Sequence, residues 1–417
     1  MNQQTRLYSI DNLRATMMWL GIVLHVADLH VTSVAPMPWH DAQTSSVADL
    51  LVGSIHAFRM PVFFIVAGFF VSLLVERRGV QGMLANRTRR LALPFVVFWP
   101  ILFATQIVLA TLLAQPHGAP FRLGFDLNAM PVLPNGSRFQ TMHLWFLEIL
   151  MGLVLVASAG FVVTRHAPVS LRDRLRTSFA WFVTRWWAFL PLALPMAWVS
   201  QRHAFGVLKA SAMFVPLPSE WAFSGMFFVF GIAIYWSRDL VLAFYQRCCW
   251  QFVVGGTLAF VLVIVVNELL TIDPTAIPRP WLFTGLLYNC AGWLWSFGLI
   301  GGFTRYLTRQ PPALRCAAES SYWVYLVHLP CVIAVEYLIR DWTTAAPLKM
   351  VLNILVTSII SLVSYELLVR RTVIGILLNG HRVAPGAMPD TAAQVDDDAG
   401  ASHHDRSQRR GSVTADS

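Results

Sequence analysis

Arg14 and His25 stand eleven residues apart in the first long apolar stretch of the chain, Leu13 to Val31. At about 100° and 1.5 Å per residue, eleven steps of an α-helix return to nearly the same face, with the imidazole about 16 Å further along the axis than the guanidinium. In a lipid-embedded helix this puts a titratable base near the middle of the membrane and an anion-binding group near one surface. Asp11 lies three residues before Arg14 and Asp28 three after His25, so one stripe carries an acid, a guanidinium, an imidazole and a second acid. Each ionisable group costs about 3 kcal/mol inside a bilayer, so a stripe of four points to function.

Further groups of the same kind recur along the chain. His56 and Arg59, three apart in SIHAFRMPVFFIVAGFFVSLLVERRG, share a helix face well within an apolar run. Arg59 needs a partner at that depth: Asp28, Glu148, or an anionic substrate group. A structural pair that fixes helix register is the alternative. Pro61 is expected to kink this helix and Gly68 to let another helix approach closely. Arg77, Arg78, Arg87, Arg89 and Arg90 crowd fourteen residues just before the third apolar run, a density suited to gripping donor phosphates, although topology alone also collects arginines there. His143, Trp145 and Glu148 open the run MHLWFLEILMG, and Tyr325 and His328 sit three apart in ESSYWVYLVHLP. A lone histidine among apolar residues is more often a hydrogen-bonded packing group; four of them with charges nearby shift that balance. Trp145 fits an interfacial belt equally well, and Glu366 fits an arginine-paired carboxylate.

These groups must be carried by membrane helices. The 417 residues are 56% hydrophobic and only 13% charged, about half the charge of a soluble domain, and mean hydropathy is +0.57. Apolar runs near spanning length fall at 13–32, 49–75, 91–114, 143–163, 186–201, 220–237, 251–270, 282–303, 320–340 and 347–369. The predicted fold is all-α: a polytopic membrane protein of about ten transmembrane helices, with 1–381 as the membrane domain and 382–417, small and polar, as a disordered tail. With the N-terminus inside, nineteen arginines flank the spans on the cytoplasmic side against seven Lys or Arg opposite, so both termini are expected to be cytoplasmic. No cleavable signal is expected, since Asp11 and Arg14 interrupt the start. The net charge of +9 is read as topology and anionic lipid rather than nucleic acid, for which no motif is present. Five cysteines without a C-x-x-C pair support neither a disulfide framework nor a zinc site, and no metal is expected. The chain lacks a G-x-S-x-G elbow, a P-loop, H-E-x-x-H and a dinucleotide fingerprint, which argues against common hydrolase, ATPase and zinc protease chemistry.

RLYSIDNLRATMMWLGIVLH at 6–25 resembles the opening of the acyltransferase family 3 membrane proteins, whose Arg-x10-His pair is matched by Arg14 and His25. IHAFRMPVFFIVAGFF, NRTRRLALP, MHLWFLEIL, GMFFVFGIAIY, SSYWVYLVHLP and YELLVRR have counterparts in the same order, so the resemblance runs almost end to end. Within the family, the opening with His25, IHAFRM, HLWFL and YLVHLP look most like the members that act on osmoregulated periplasmic glucans. The resemblance implies an enzyme of the bacterial inner membrane that moves an acyl group, succinyl above all, from a cytoplasmic acyl-CoA co-substrate to hydroxyls of a periplasmic glucan, with no bound cofactor.

On that expectation His25 takes a proton from the attacking hydroxyl, or first accepts the acyl group itself, and Asp28 assists it. Arg14, Arg87, Arg89 and Arg90 hold the donor phosphates or steady charge on the thioester oxygen. Asp11, His56, Arg59, His143, Trp145, Glu148, Tyr325 and His328 are substrate-site candidates. The competing class is a proton-coupled secondary transporter, since intramembrane His, Arg and Glu also build proton relays; the sequence shows no inverted repeat to favour it. Oligomeric state is not legible.

Overall fold

The computed structural model of the chain describes residues 3–32, 39–116 and 120–379, and the tail 382–417 lies outside them. Among the described residues the regular structure is wholly helical. Every apolar run expected to span meets a helix: α1 (Gln3–Asp28), α2 (Ser46–Arg87), α3 (Leu93–Leu113), α4 (Trp145–Thr164), α6 (Phe189–Ser200), α7 (Pro218–Trp236), α8 (Arg238–Ile272), α9 (Pro280–Tyr306), α10 (Pro312–Ile339) and α11 (Ala346–Ser364). Two helices were not foreseen. α5 (Val169–Val183), VSLRDRLRTSFAWFV, is too charged to read as a span, and α12 (Val373–Asn379) is only seven residues long.

Local chemistry sets the boundaries. Ser45 caps α2, its side chain accepting from the Val47 N–H at 3.2 Å, and α3, α7, α9, α10 and α11 each begin with proline in the first turn, where the missing N–H costs nothing. In α2 the backbone leaves helical values at Gly79 (φ 69°), a conformation open to glycine, and Pro61 lies inside the helix. The helix therefore turns aside shortly before the arginines. Thr88–Ala92, inside the arginine-rich stretch, and Tyr365–Val369, which holds Glu366, are single π-helical turns, a geometry that often accompanies functional sites. α12 packs against both.

Among the described residues five segments are long and apolar enough to cross a membrane: Ser46–Leu113, which contains both α2 and α3, Met142–Thr164, Arg238–Ile272, Pro312–Ile339 and Ala346–Val369. Helix α1 is not among them, because Asp11, Asn12, Arg14, His25 and Asp28 lower its hydropathy. Its polar groups are tolerated because α2, α9, α10 and α11 surround it. The faces left outward are apolar, as on α8, where Val254, Leu258, Val261 and Val265 are exposed in the manner of lipid-facing side chains.

The expected role of Gly68 is visible in the α2–α7 contact. A Cβ at Gly68 would collide with the Phe228 carbonyl and one at Gly231 with the Ile65 carbonyl, so the two backbones touch reciprocally. Gly231→Ala is expected to cost about 1–3 kcal/mol by forcing the helices apart. The readout is thermal unfolding in detergent, with Gly302→Ala as a control, since a Cβ there meets nothing within 4 Å. Equal melting of the two variants would contradict the close packing.

Candidate active site

His25, on the last turn of α1, lines a cavity of about 210 Å³ together with Asp28, His56 and Trp145. Its Nδ1 lies 3.2 Å from Asp28 Oδ2, and the acid is 8% exposed against 18% for the imidazole. A carboxylate can only accept, so Nδ1 carries the hydrogen and Nε2 of the neutral ring keeps its lone pair. Spacing of i, i+3 on one helix produces the pair, and the pair fixes the tautomer that a general base requires.

Behind His25 the ninth apolar run contributes a stripe. Tyr322, Tyr325 and His328 follow at three-residue intervals on α10; the two tyrosine rings lie parallel with centroids 6.4 Å apart, and the His328 ring is 5.2 Å from that of His25. His143 completes the cluster 5.2 Å from His328. The Tyr325 hydroxyl donates to the His143 carbonyl at 2.8 Å, His143 Nε2 meets the Leu326 carbonyl at 3.1 Å, and His328 Nδ1 meets the Tyr325 carbonyl at 2.7 Å. Each of these imidazoles donates to backbone and holds a second nitrogen that is buried and without a partner. Three histidines, from α1, from α10 and from the turn that leads into α4, thus converge.

Arg59 is 5% exposed and donates from Nε to the Met17 carbonyl at 2.9 Å. Among the described residues it forms no ion pair with Glu148 or Asp28, and it does not line the cavity. Its guanidinium and the His328 ring close around Gly21, one turn before His25: a Cβ there would lie 2.5 Å from Arg59 Nη2 and 3.2 Å from His328 Nε2. Glycine at 21 is what lets both reach the α1 backbone. Glu148, one turn into α4, has a buried Oε2 without a partner and lies outside the cavity lining.

Eleven residues back along α1, near the middle of the helix, Arg14 is held by Asp11 at 2.7 Å, and Gln310 donates to the other Asp11 oxygen at 3.2 Å. Arg87 lies within electrostatic reach of both Arg90 and Arg14, and its Nε is buried without a partner among the described residues. Like charges so gathered are costly unless an anion joins them. The Tyr322 hydroxyl donates to the Arg90 carbonyl at 2.9 Å, so the α10 stripe runs from the arginines toward the histidines. Arg89 is exposed.

Two groupings escaped the sequence reading. Lys209, Glu220, Gln106 and Gln140 also line the His25 cavity, brought there by connecting segments and neighbouring helices that no local motif marks. A second buried cluster joins the end of α1 to α10 and α11. Lys349 Nζ lies 2.5 Å from Asp41 Oδ2, His30 Nε2 is 3.5 Å from Glu336 Oε1, and Asn353 donates to Glu336 Oε2 at 2.8 Å. His30, Asp41 and Glu336 offer ligand atoms within 4.8 Å of one another, a spacing a metal ion can use, but the Lys349 ammonium already supplies the positive charge beside Asp41.

Comparison with known proteins fits this arrangement. The model of the acyltransferase domain of acyltransferase family 3 matches residues 7–366. Proteins named glucans biosynthesis protein C from Salmonella paratyphi B and Salmonella dublin are each 24% identical over 400 residues, covering 90% of this chain and 95% of theirs. The protein of that name from Salmonella schwarzengrund is 24% identical over 404 residues, with the same coverage. No solved structure matches. The family match extends from before Arg14 to Glu366 and takes in every candidate residue above, so the chain belongs to the acyltransferase 3 family and is a multi-pass membrane acyltransferase.

Proposed function

We propose that the enzyme transfers an acyl group from acyl-CoA, bound at the Arg14 end, to a hydroxyl of a glucan that enters the cavity at the His25 end. On this reading ten helices cross the bacterial inner membrane, both termini are cytoplasmic, and donor and acceptor approach from opposite compartments. The observation that carries it is the separation of two sites along one helix: a guanidinium cluster about Arg14 near the middle of α1, and on its last turn an imidazole with an oriented lone pair, lining a cavity. The reach between them, about 16 Å along the helix, is of the order of an extended pantetheine arm.

In the proposed reaction Arg14, Arg87 and Arg90 hold the donor's phosphates while the thioester carbonyl lies beside His25. The glucan hydroxyl oxygen attacks that carbonyl as His25 Nε2 takes its proton, and Asp28 stabilises the imidazolium that results. Arg59, held against α1 one turn before His25, offers its remaining N–H groups to the negative charge on the carbonyl oxygen. Collapse of the tetrahedral intermediate expels CoA sulfur, which recovers the proton from His25, leaving an ester and free CoA. A glucan as the acceptor is supported by the names of the relatives, and succinyl as the acyl group and the periplasm as the glucan's compartment are what the resemblance of the motifs implies.

The test is incubation of purified full-length protein with succinyl-CoA and extracted glucan, followed by mass spectrometry of the glucan. A new succinyl ester with matching release of CoA is expected. An unmodified glucan with every acyl-CoA supplied would overturn the reading.

A further inference from the structure

Between α6 and α7 the chain runs residues 207–213 along the His25 cavity, and Leu208, Lys209, Ala210 and Ala212 line it. The segment is pinned. Both the N–H and the hydroxyl of Thr141 donate to the Ala212 carbonyl, at 2.8 and 3.0 Å, and the Ser211 N–H donates to Glu220 Oε1 at 2.7 Å. Ala212 is held at φ 55°, and Met142, which lines the cavity beside Thr141, at φ 53°. Each such residue costs about 1 kcal/mol or more, so the surrounding contacts dictate this backbone. Lys209 makes no hydrogen bond or ion pair among the described residues, although its charge reaches both Asp28 and His56.

The geometry points to Lys209 as the residue that selects acyl groups ending in a carboxylate, such as succinyl. This deepens the proposed function and rests on it. An acyl group fed from the arginine end travels with the end remote from sulfur in front. When its carbonyl reaches His25, that leading end has entered the cavity beyond. There Asp28 and Glu220 repel an anion, and Lys209 is the cation lining the same space that is free to receive one. Arg59 is a poorer receiver, since its Nε is engaged by the Met17 carbonyl and it lies outside the lining. The ammonium joins in no bond making or breaking; it orients the acyl chain and neutralises its far end.

The experiment measures kcat/KM for succinyl-CoA and for butyryl-CoA, which carries no far charge, with the same glucan and full-length protein. Wild type, Lys209→Met, Lys209→Arg and Arg59→Gln are compared by the succinyl-to-butyryl ratio, which cancels any difference in the folded fraction. The ratio is expected to favour succinyl in wild type, to fall at least about tenfold in Lys209→Met, and to recover in Lys209→Arg, as loss of a charged hydrogen bond implies. Equal losses on both donors would show that Lys209 serves Asp28 or the glucan instead. A ratio that moves only in Arg59→Gln, or a wild type that prefers butyryl, would likewise overturn the assignment. Transfer from neither donor by wild type removes the acyl-CoA reading itself, whereas transfer from both with an unmoved ratio removes this inference alone.

Discussion

His25→Ala lowers kcat for acyl transfer by at least about 10³-fold, because it deletes the base whose lone pair faces the cavity. The KM for acyl-CoA changes little, since the groups assigned to the donor phosphates gather about Arg14, eleven residues and about 16 Å back along α1. Asp28→Asn is intermediate. The amide nitrogen can donate to Nδ1 and so favour the tautomer with the hydrogen on Nε2, which is the wrong one for accepting a proton. Steady-state rates of purified variants check both expectations. Near-normal turnover in His25→Ala would remove the imidazole from the chemistry, and a raised KM with unchanged kcat would reassign it to binding.

Lys349→Met is expected to destabilise the protein by about 3–5 kcal/mol, the cost of leaving a buried carboxylate without its partner. Both side chains of the Asp41–Lys349 pair are 0% exposed, and among the described residues the ammonium is otherwise held only by the Arg340 and Trp342 carbonyls at 3.4 Å. Together with His30, Glu336 and Asn353 the pair ties the end of α1 to α10 and α11, two residues beyond Asp28, so its loss loosens the site as well as the fold. The double variant Asp41→Asn with Lys349→Met removes both charges and is expected to recover a large part of the loss. Thermal unfolding in detergent checks this: a single variant that melts as wild type would mean that the pair is solvated, and a double variant worse than the single would mean that the charges are not what couples them.

Helix α1 shows most directly what could be read from the sequence. The spacing of Asp11, Arg14, His25 and Asp28 fixed two ion-paired couples on one helix, and both are present as i, i+3 contacts. His56, His143, Tyr325 and His328 were legible as polar residues inside apolar runs, which a bilayer tolerates only where helices enclose them, and the three imidazoles of His25, His143 and His328 do converge. Their mutual arrangement was not legible, since it depends on which helices pack together. Arg59 illustrates this: depth alone proposed a carboxylate partner, whereas the structure gives it the Met17 carbonyl and the cleft opened by Gly21. Lys209 and Glu220 left no signal because one lies in an irregular connection and the other at a helix start, where charged residues are ordinary. Asp41 and Lys349, 308 positions apart, meet only through tertiary packing. The break in α2 at Gly79, where the backbone takes a positive φ that glycine adopts easily, left no mark in the sequence reading.

The account stands on transfer between two faces of one membrane, and sealed vesicles test it most directly. Protein is reconstituted in one orientation, with acyl-CoA confined to the face bearing Arg14 and glucan confined to the other. Esterified glucan is expected to accumulate on the side away from the donor in wild type and to be absent with His25→Ala. Ester formed only when donor and glucan share a compartment would contradict a base at His25 that receives the acyl group from one face and delivers it to the other.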